Sequence, residues 1–171
     1  MLTANTTASG CEIRRLKIRN VDLSRKLLYV HPDTVKNRFR ARVIPLNAQR
    51  LRAATLALSR YNTICQQQQI TPHLDHFLFP FRLRIGQYLP EREASPTFMR
   101  TAFREIRAAA GLPWLGPHDL RYQAITKLLE CPNVSEQTVK ALAGHVSEKM
   151  MNHYSHIRIH AKRIAVESLR M

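Results

Sequence analysis

Residues 118–156 of this 171-residue chain read HDLRYQAITKLLECPNVSEQTVKALAGHVSEKMMNHYSH. Apolar residues recur in it every three or four positions, which is the spacing of an amphipathic helix. Pro132 interrupts the pattern, Ser135 is a typical helix start and Gly144 a typical helix end. The stretch therefore predicts successive short helices, and it also carries the side chains with the most informative chemistry.

Four of those side chains suit the transfer of a phosphoryl group. His118 and Arg121 are three residues apart, so a helix presents them on the same face. The guanidinium of an arginine matches a phosphate bidentately, and histidines such as His145 exchange protons near neutral pH. Tyr154 follows nine residues after His145 and offers a phenolic nucleophile. The set indicates phosphoryl transfer onto a protein hydroxyl.

The sequence contains no signature of a bound cofactor or metal. It has no glycine-rich phosphate loop of the Walker A type, no HExxH pair and no acidic cluster suited to a metal ion. We therefore expect no cofactor and no metal. The reaction would depend on positioning and on stabilisation of charge by cationic side chains.

The rest of the chain extends this helical part into a mostly α, α+β fold with one small sheet near the N-terminus. Ser95 followed by Pro96 starts a helix that ends near Gly111. We expect Trp114 to pack beneath the turn that holds His118. Further upstream the patterns predict a connector over 71–94 with a buried apolar run at 77–79, a helix from Asn47 to about Gln69, a three-stranded antiparallel sheet over 19–46 and a short helix over 11–17. A last amphipathic helix is predicted over 157–168.

The charge of the chain points to a polyanionic partner. It has 27 Lys and Arg against 12 Asp and Glu, a formal net charge of +15. Nucleic acid is the first candidate for such a surplus, although a solvated basic surface is the simpler alternative. The sequence shows no transmembrane run and no signal peptide, and its three widely spaced cysteines fit a reducing compartment. We therefore expect a cytoplasmic protein that contacts no membrane.

Three motifs of the quoted stretch resemble the catalytic boxes of the tyrosine recombinases, the phage integrase family. The family's HxLR box is similar to His118–Arg121, its LGH box to Leu142–His145, and its tyrosine box to Tyr154–His156. The resemblance continues upstream and covers nearly the whole chain. The upstream matches are the stretch Glu12–Leu23, the stretch Lys36–Leu46 and the connector Phe77–Pro80.

The resemblance implies a role for each matching residue. Tyr154 would attack the scissile phosphate and form a 3′-phosphotyrosyl bond to double-stranded DNA. Lys36 would protonate the leaving 5′ oxygen, and Arg121 would bind the non-bridging oxygens. His118 would accept the tyrosine proton, and His145 would hydrogen-bond the phosphate. Further protomers, as a dimer or tetramer on the DNA, are the expected protein partners.

One departure from the family pattern bears on activity. The family's first catalytic arginine lies three residues before the glutamate of its first box, and that position is Ser9 here. Because a serine supplies no positive charge, we expect impaired or absent recombinase activity. Tyr122, in the place of a histidine, is a milder departure. The alternatives are an inactive DNA-binding domain of the same fold and, less favoured, a basic structural or RNA-binding helical protein.

The resemblance also implies how the chain is organised. Because the sequence begins almost at the first box, residues 1–171 are expected to be a single catalytic domain, a fragment without the family's N-terminal DNA-binding domain. The remaining cations, among them Arg14, Arg42, Arg82 and Arg84, are expected to hold the DNA backbone in a largely sequence-independent way.

Overall fold

The computed structural model describes residues 7–32, 41–131 and 133–144, together with residues 163, 166, 167 and 169. In this part of the chain it shows five α-helices, one short 3₁₀ helix and two antiparallel sheets. The helices are α1 (Gly10–Arg14), α2 (Ala48–Gln67), α3 (Pro96–Ala109), α4 (Pro117–Glu130) and α5 (Glu136–Ala143). The strands are β1 (Val21–Asp22), β2 (Leu27–Val30), β3 (Arg42–Pro45), β4 (Pro80–Arg82) and β5 (Tyr88–Glu93), and the 3₁₀ helix is Ile18–Asn20.

The predicted three-stranded sheet is confirmed. Its order is β1-β2-β3, and both pairings are antiparallel. Leu28 lies at its centre, opposite Val21 on one side and Ile44 on the other. Side chains alternate between the two faces of a strand, so Leu28 and Val30 of β2 are both buried.

The predicted helix starts are also confirmed, because the expected residues cap them. The side chains of Asn47, Ser95 and Ser135 each accept a hydrogen bond from the backbone amide three residues later, at 3.0 to 3.1 Å. Such a bond satisfies one of the amides that a helix start leaves unpaired. Pro96 occupies the first turn of α3, where its missing amide costs nothing.

The connector predicted over 71–94 contains a hairpin that the sequence patterns did not indicate. Strands β4 and β5 pair antiparallel around a turn that closes with the bond from the Leu83 amide to the Gln87 carbonyl, at 2.8 Å. Gly86 has φ +89° in this turn, a conformation that favours glycine. The strands escaped prediction because β4 has only three residues, because β5 is rich in charged residues, and because each contains a proline, Pro80 and Pro90.

Two apolar clusters form the core of the described residues. The larger one lies around the three-stranded sheet and combines residues of α1, β2, β3 and α2 with Leu78, the buried centre of the predicted run at 77–79. The smaller one lies between α4 and α5 and consists of Ile125, Leu129, Val139 and Ala143. Strand β3 contacts α5, so the two clusters meet near the end of that helix.

The region around α3 corrects one prediction. Trp114 does not pack beneath the His118 turn, because 72% of it is exposed. Phe98 and Ile106 of α3 are also exposed. Most of the predicted last helix, 157–168, lies outside the described residues. Within the part of the chain that the structure covers, no helix is long and apolar enough to cross a membrane.

Candidate functional site

The start of α1 is fixed by a reciprocal pair of hydrogen bonds between Ser9 and Glu12. The Glu12 amide donates to Oγ of Ser9 at 3.3 Å, and the Ser9 amide donates to Oε2 of Glu12 at 2.7 Å. This capping box satisfies two amides that the helix itself leaves unpaired. The hydroxyl of Ser9 therefore caps the start of α1, and the Glu12 carboxylate is hydrogen-bonded to the backbone at the same helix start.

Arg42, the first residue of β3, forms a buried two-point ion pair with Glu12. Its Nη1 donates to Oε1 at 3.0 Å and its Nη2 to Oε2 at 3.1 Å, and each side chain is only 5% exposed. Burial by itself raises the pKa of Glu12, but the hydrogen bond and charge of Arg42, the Ser9 amide and the charge of Arg121 outweigh it and lower this pKa below its ordinary value. Glu12 is therefore ionised at neutral pH and holds the Arg42 guanidinium in one orientation.

Two arginines from outside α5 cap the C-terminal end of that helix. Nε of Arg42 donates to the Leu142 carbonyl at 2.8 Å, and Nη2 of Arg121 donates to the Ala143 carbonyl at 2.8 Å. A helix leaves its last four carbonyls without an intrahelical partner, and its C-terminus favours positive charge. The two guanidinium groups therefore supply both hydrogen bonds and charge where α5 ends.

The backbone before α1 joins the same contacts. The Thr7 carbonyl accepts from Nη1 of Arg121 and, at 3.3 Å, from Nη2 of Arg42, while the Thr7 hydroxyl donates to the Leu142 carbonyl. The arginine junction is the name used below for Thr7, Glu12, Arg42 and Arg121 with the carbonyls of Leu142 and Ala143. It contains two positive groups and one negative group, so its net charge of +1 favours an anion. Among the described residues, no three His, Cys, Asp or Glu side chains are grouped so that they could hold a metal ion.

His118 lies in the first turn of α4, before Arg121 on the same helix. Pro117 is the first residue of the helix, and the Asp119 carboxylate accepts a hydrogen bond from the Gly116 amide at 2.7 Å, which fixes this end. His118 is exposed to solvent, whereas Arg121 is half-buried in the arginine junction. The His118 imidazole is therefore accessible to solvent, whereas the Arg121 guanidinium is hydrogen-bonded to protein carbonyls.

The other three predicted site residues, Lys36, His145 and Tyr154, lie outside the described residues. His145 directly follows Gly144, which ends α5 with φ +73° and ψ −131°, a conformation that favours glycine. A Cβ atom at position 144 would lie 3.1 Å from Nη1 of Arg42. The arginine junction therefore contacts the chain one residue before His145.

Two cations that were expected to hold DNA are buried instead. Arg14 contacts Glu93 at 3.0 Å and donates to the Ala94 carbonyl at 3.1 Å, and Arg42 is enclosed in the arginine junction. For these two residues the expectation is wrong, because each side chain points into the protein and is paired there with a carboxylate. Arg82 and Arg84 are exposed.

The comparisons with known proteins identify the family. The sequence matches the model of the phage integrase family over residues 2–160. The chain belongs to the phage integrase family. None of the curated proteins matches it.

The fold of this integrase-family chain is similar to that of solved recombinases. XerA recombinase aligns with a TM-score of 0.66 and 19% identity over 99% of this chain and 56% of its own. The Tn1549 transposon integrase in complex with transposon right end DNA aligns with a TM-score of 0.62 and 17% identity over 98% of this chain and 56% of its own. The same integrase in complex with circular intermediate DNA aligns with a TM-score of 0.63 and 17% identity over 99% of this chain and 58% of its own. The chain thus spans little more than half the length of these structures, and its expected fold class is confirmed.

Sequence reasoning missed the ion pair at the centre of the arginine junction. Glu12 entered the prediction only through its place in a stretch that resembles the family, and Arg42 through such a stretch and as a cation expected to contact DNA. The alternation of β3 offered a signal, because Arg42 and the core residue Ile44 are two apart and share a face of the strand. An arginine on the core face requires a carboxylate partner, and this integrase-family chain has only 12 acidic residues.

Proposed function

We propose that residues 1–171 form one catalytic domain that cuts and rejoins double-stranded DNA at specific sites. The observation that supports this proposal best is the hydrogen bond from Nη2 of Arg121 to the Ala143 carbonyl at 2.8 Å. It joins the motif His118–Arg121 to the motif Leu142–His145, which are far apart in the sequence. Membership of the phage integrase family supports the same conclusion.

In the proposed reaction, Oη of Tyr154 attacks the phosphorus of the scissile phosphodiester. A bond forms between phosphorus and the tyrosine oxygen, and the bond from phosphorus to the 5′ oxygen breaks. His118 takes the phenolic proton, and Lys36 gives a proton to the leaving 5′ oxygen. Arg121 and His145 bind the non-bridging oxygens, whose charge grows in the transition state.

The second half of the reaction reverses the first on another strand. A 5′ hydroxyl attacks the phosphotyrosyl phosphorus, and the tyrosine oxygen leaves. One phosphodiester bond is therefore exchanged for another, so no nucleotide is consumed. Exchange between two duplexes needs an active site on each, which favours a dimer or tetramer on the DNA. Such a protein would act in the cytoplasm, where the DNA of a prokaryote or phage is present.

A covalent protein–DNA adduct tests this proposal. The substrate is a pool of duplexes of randomised sequence with a nick near the cleavage position, so that the 5′ end is lost by diffusion and the adduct accumulates. We expect a band that survives denaturing electrophoresis and whose DNA is linked to Tyr154 by mass spectrometry. Tyr154→Phe should abolish the band, whereas Tyr122→Phe, which alters an exposed tyrosine of α4, should retain it. A band that persists in Tyr154→Phe would refute the assigned nucleophile.

The second candidate is a DNA-binding domain of the same fold that has lost catalysis. Two points support this candidate: Ser9 is a neutral cap of α1, and by resemblance its position is that of the family's first arginine. Loss of one charge-stabilising donor typically costs a factor of about 10²–10³ in rate. We propose that the chain is slowed to about this extent.

The variants Ser9→Arg and Ser9→Ala separate the two candidates. Both remove the Ser9 cap, which costs about 1 kcal/mol of stability, but only arginine adds a cation. We expect Ser9→Arg to raise the rate of adduct formation by about 10²-fold or more and Ser9→Ala to leave it unchanged. If the two variants form adducts at equal rates, position 9 is not the site of a missing catalytic arginine.

A further inference from the structure

The last two carbonyls of α5 have partners that lie far away in the sequence. The arginine donors to the Leu142 and Ala143 carbonyls are Arg42 of β3 and Arg121 of α4, each at 2.8 Å, and the Thr7 hydroxyl also donates to the Leu142 carbonyl. Arg121 is the family's phosphate-binding arginine by resemblance, whereas no catalytic role is attached to Arg42. The position of Arg42 therefore requires an explanation of its own.

The guanidinium of Arg42 is held too firmly to act as a mobile cation. It makes two hydrogen bonds to Glu12, one to the Leu142 carbonyl and one to the Thr7 carbonyl, and its side chain is 5% exposed. The planar fork of an arginine fixes all these directions at once, which an ammonium group does not. Arg42 therefore connects α1 rigidly to the end of α5 through hydrogen bonds.

Arg42 also lies close to Gly144, the residue that precedes His145. A Cβ atom at Gly144 would lie 3.1 Å from Nη1 of Arg42, and this is closer than side chains normally approach. Gly144, with φ +73°, thus leaves no room for a side chain beside the guanidinium. The contact therefore lies at the last residue before His145.

We propose that Arg42 is a positioning residue for His145, because it sets the end of α5 from which the chain enters that residue. Glu12 orients Arg42 and therefore acts on the same turn indirectly. The assignment rests on the proposed function, in which His145 binds the scissile phosphate. A misplacement of about 1 Å in such a group can slow a reaction by about 10²-fold.

The pair Arg42→Lys and Arg14→Lys tests this proposal. Arg14 is a matched control, because it too is buried, ion-paired with a carboxylate and bonded to a backbone carbonyl, but its partners are Glu93 and Ala94. With saturating DNA we expect Arg42→Lys to slow adduct formation by about 10²-fold without weakening DNA binding, and Arg14→Lys to leave the rate per folded molecule unchanged.

The imidazole resonances of His145 give a readout that does not depend on activity. In Arg42→Lys we expect the His145 signal to move, and in Arg14→Lys we expect it to stay in place. If wild-type protein forms no adduct, the proposed function fails, whereas the His145 signal still decides the role of Arg42. An unchanged signal in Arg42→Lys, or an equal change in Arg14→Lys, would overturn that role.

A second variant covers the case in which Arg42→Lys does not fold. The double change Glu12→Met with Arg42→Met replaces the buried ion pair by apolar groups, an exchange that folded proteins commonly tolerate. It deletes the Arg42 donor to Leu142 and removes both charges of the buried pair together. The proposal requires the same displacement of the His145 signal and the same loss of rate in this folded variant.

Discussion

The larger core around the three-stranded sheet and the smaller core between α4 and α5 contrast with the contacts that join them. Both cores are apolar, and their central side chains, Leu28 and Ile125, are fully buried. Their junction is instead made of two arginines, a carboxylate and backbone carbonyls. Apolar packing is non-directional, whereas hydrogen-bonded guanidinium groups fix angles and distances. The difference indicates that the cores supply most of the net stabilisation, whereas the junction fixes geometry and becomes strongly destabilising only when one of its buried charges loses its partner.

The largest effect on stability is expected from the junction's only carboxylate. Glu12→Gln leaves Arg42 buried without its counter-charge and should cost about 3–5 kcal/mol. Glu93→Gln is the control, because its side chain is 31% exposed and one of its two partners, Arg15, is 32% exposed. Urea denaturation at neutral pH measures both. Equal losses of stability in the two variants would mean that the deeper burial of Glu12 does not raise the cost of removing its charge.

The same carboxylate predicts how stability changes with pH. The folded-state pKa of Glu12 is lowered from 4.5, so its ion pair contributes fully above about pH 4.5 and the contribution is lost as pH falls through the folded-state pKa. Glu12→Gln has no such group. The acid-induced loss of stability should therefore be smaller in the variant than in the wild type. A parallel loss in both proteins would contradict the assignment.

A slightly smaller effect is expected from each core, and it tests whether the two cores unfold together. Leu28→Ala and Ile125→Ala each remove a fully buried side chain and should cost about 2–5 kcal/mol. Leu56→Ala, at a residue that is 59% exposed, should change stability by less than about 0.5 kcal/mol. We expect one thermal transition in every variant. A second transition in Ile125→Ala alone would show that the junction does not couple the cores.

The smallest effect is expected from a matched pair of glycines at helix ends. Gly111 and Gly144 follow α3 and α5 with φ +70° and +73°, so alanine is strained at both, and more strongly at Gly144, whose ψ of −131° lies outside the left-handed helical region. A Cβ atom meets nothing within 4 Å at Gly111 but lies 3.1 Å from Arg42 at Gly144. Gly144→Ala should therefore be the more destabilising in chemical denaturation. Equal costs would mean that Arg42 moves aside freely.

The sequence predicts the helix starts and the three-stranded sheet because their signals are local. Asn47, Ser95 and Ser135 cap helices through bonds to amides three residues away, and such caps can be recognised from neighbouring residues alone. The hairpin over residues 80–93 had no such signal, because β4 has only three residues, β5 is rich in charged residues, and each strand contains a proline. Local sequence signals thus account for most element boundaries but not for strands β4 and β5.

The arginine junction was beyond sequence reasoning for a different reason. Arg42 meets Glu12, Leu142 and Thr7 across 30, 100 and 35 positions of the chain. No periodicity links such residues, and only the packing of β3 against α1 and α5 brings them together. The motif His118–Arg121 was found from its spacing, whereas the contact of Arg121 with Ala143 required the fold.

The rate of adduct formation in Arg121→Met tests the central claim most directly. Arg107→Met is the matched control, because Arg107 also donates from a helix to a backbone carbonyl, that of Leu115 at 2.8 Å, but lies outside the junction. On nicked duplex DNA the account predicts that Arg121→Met reacts about 10²–10³-fold more slowly than wild type, while Arg107→Met reacts at the wild-type rate. Adduct formation by Arg121→Met at the wild-type rate would contradict a strand-transfer site at the arginine junction.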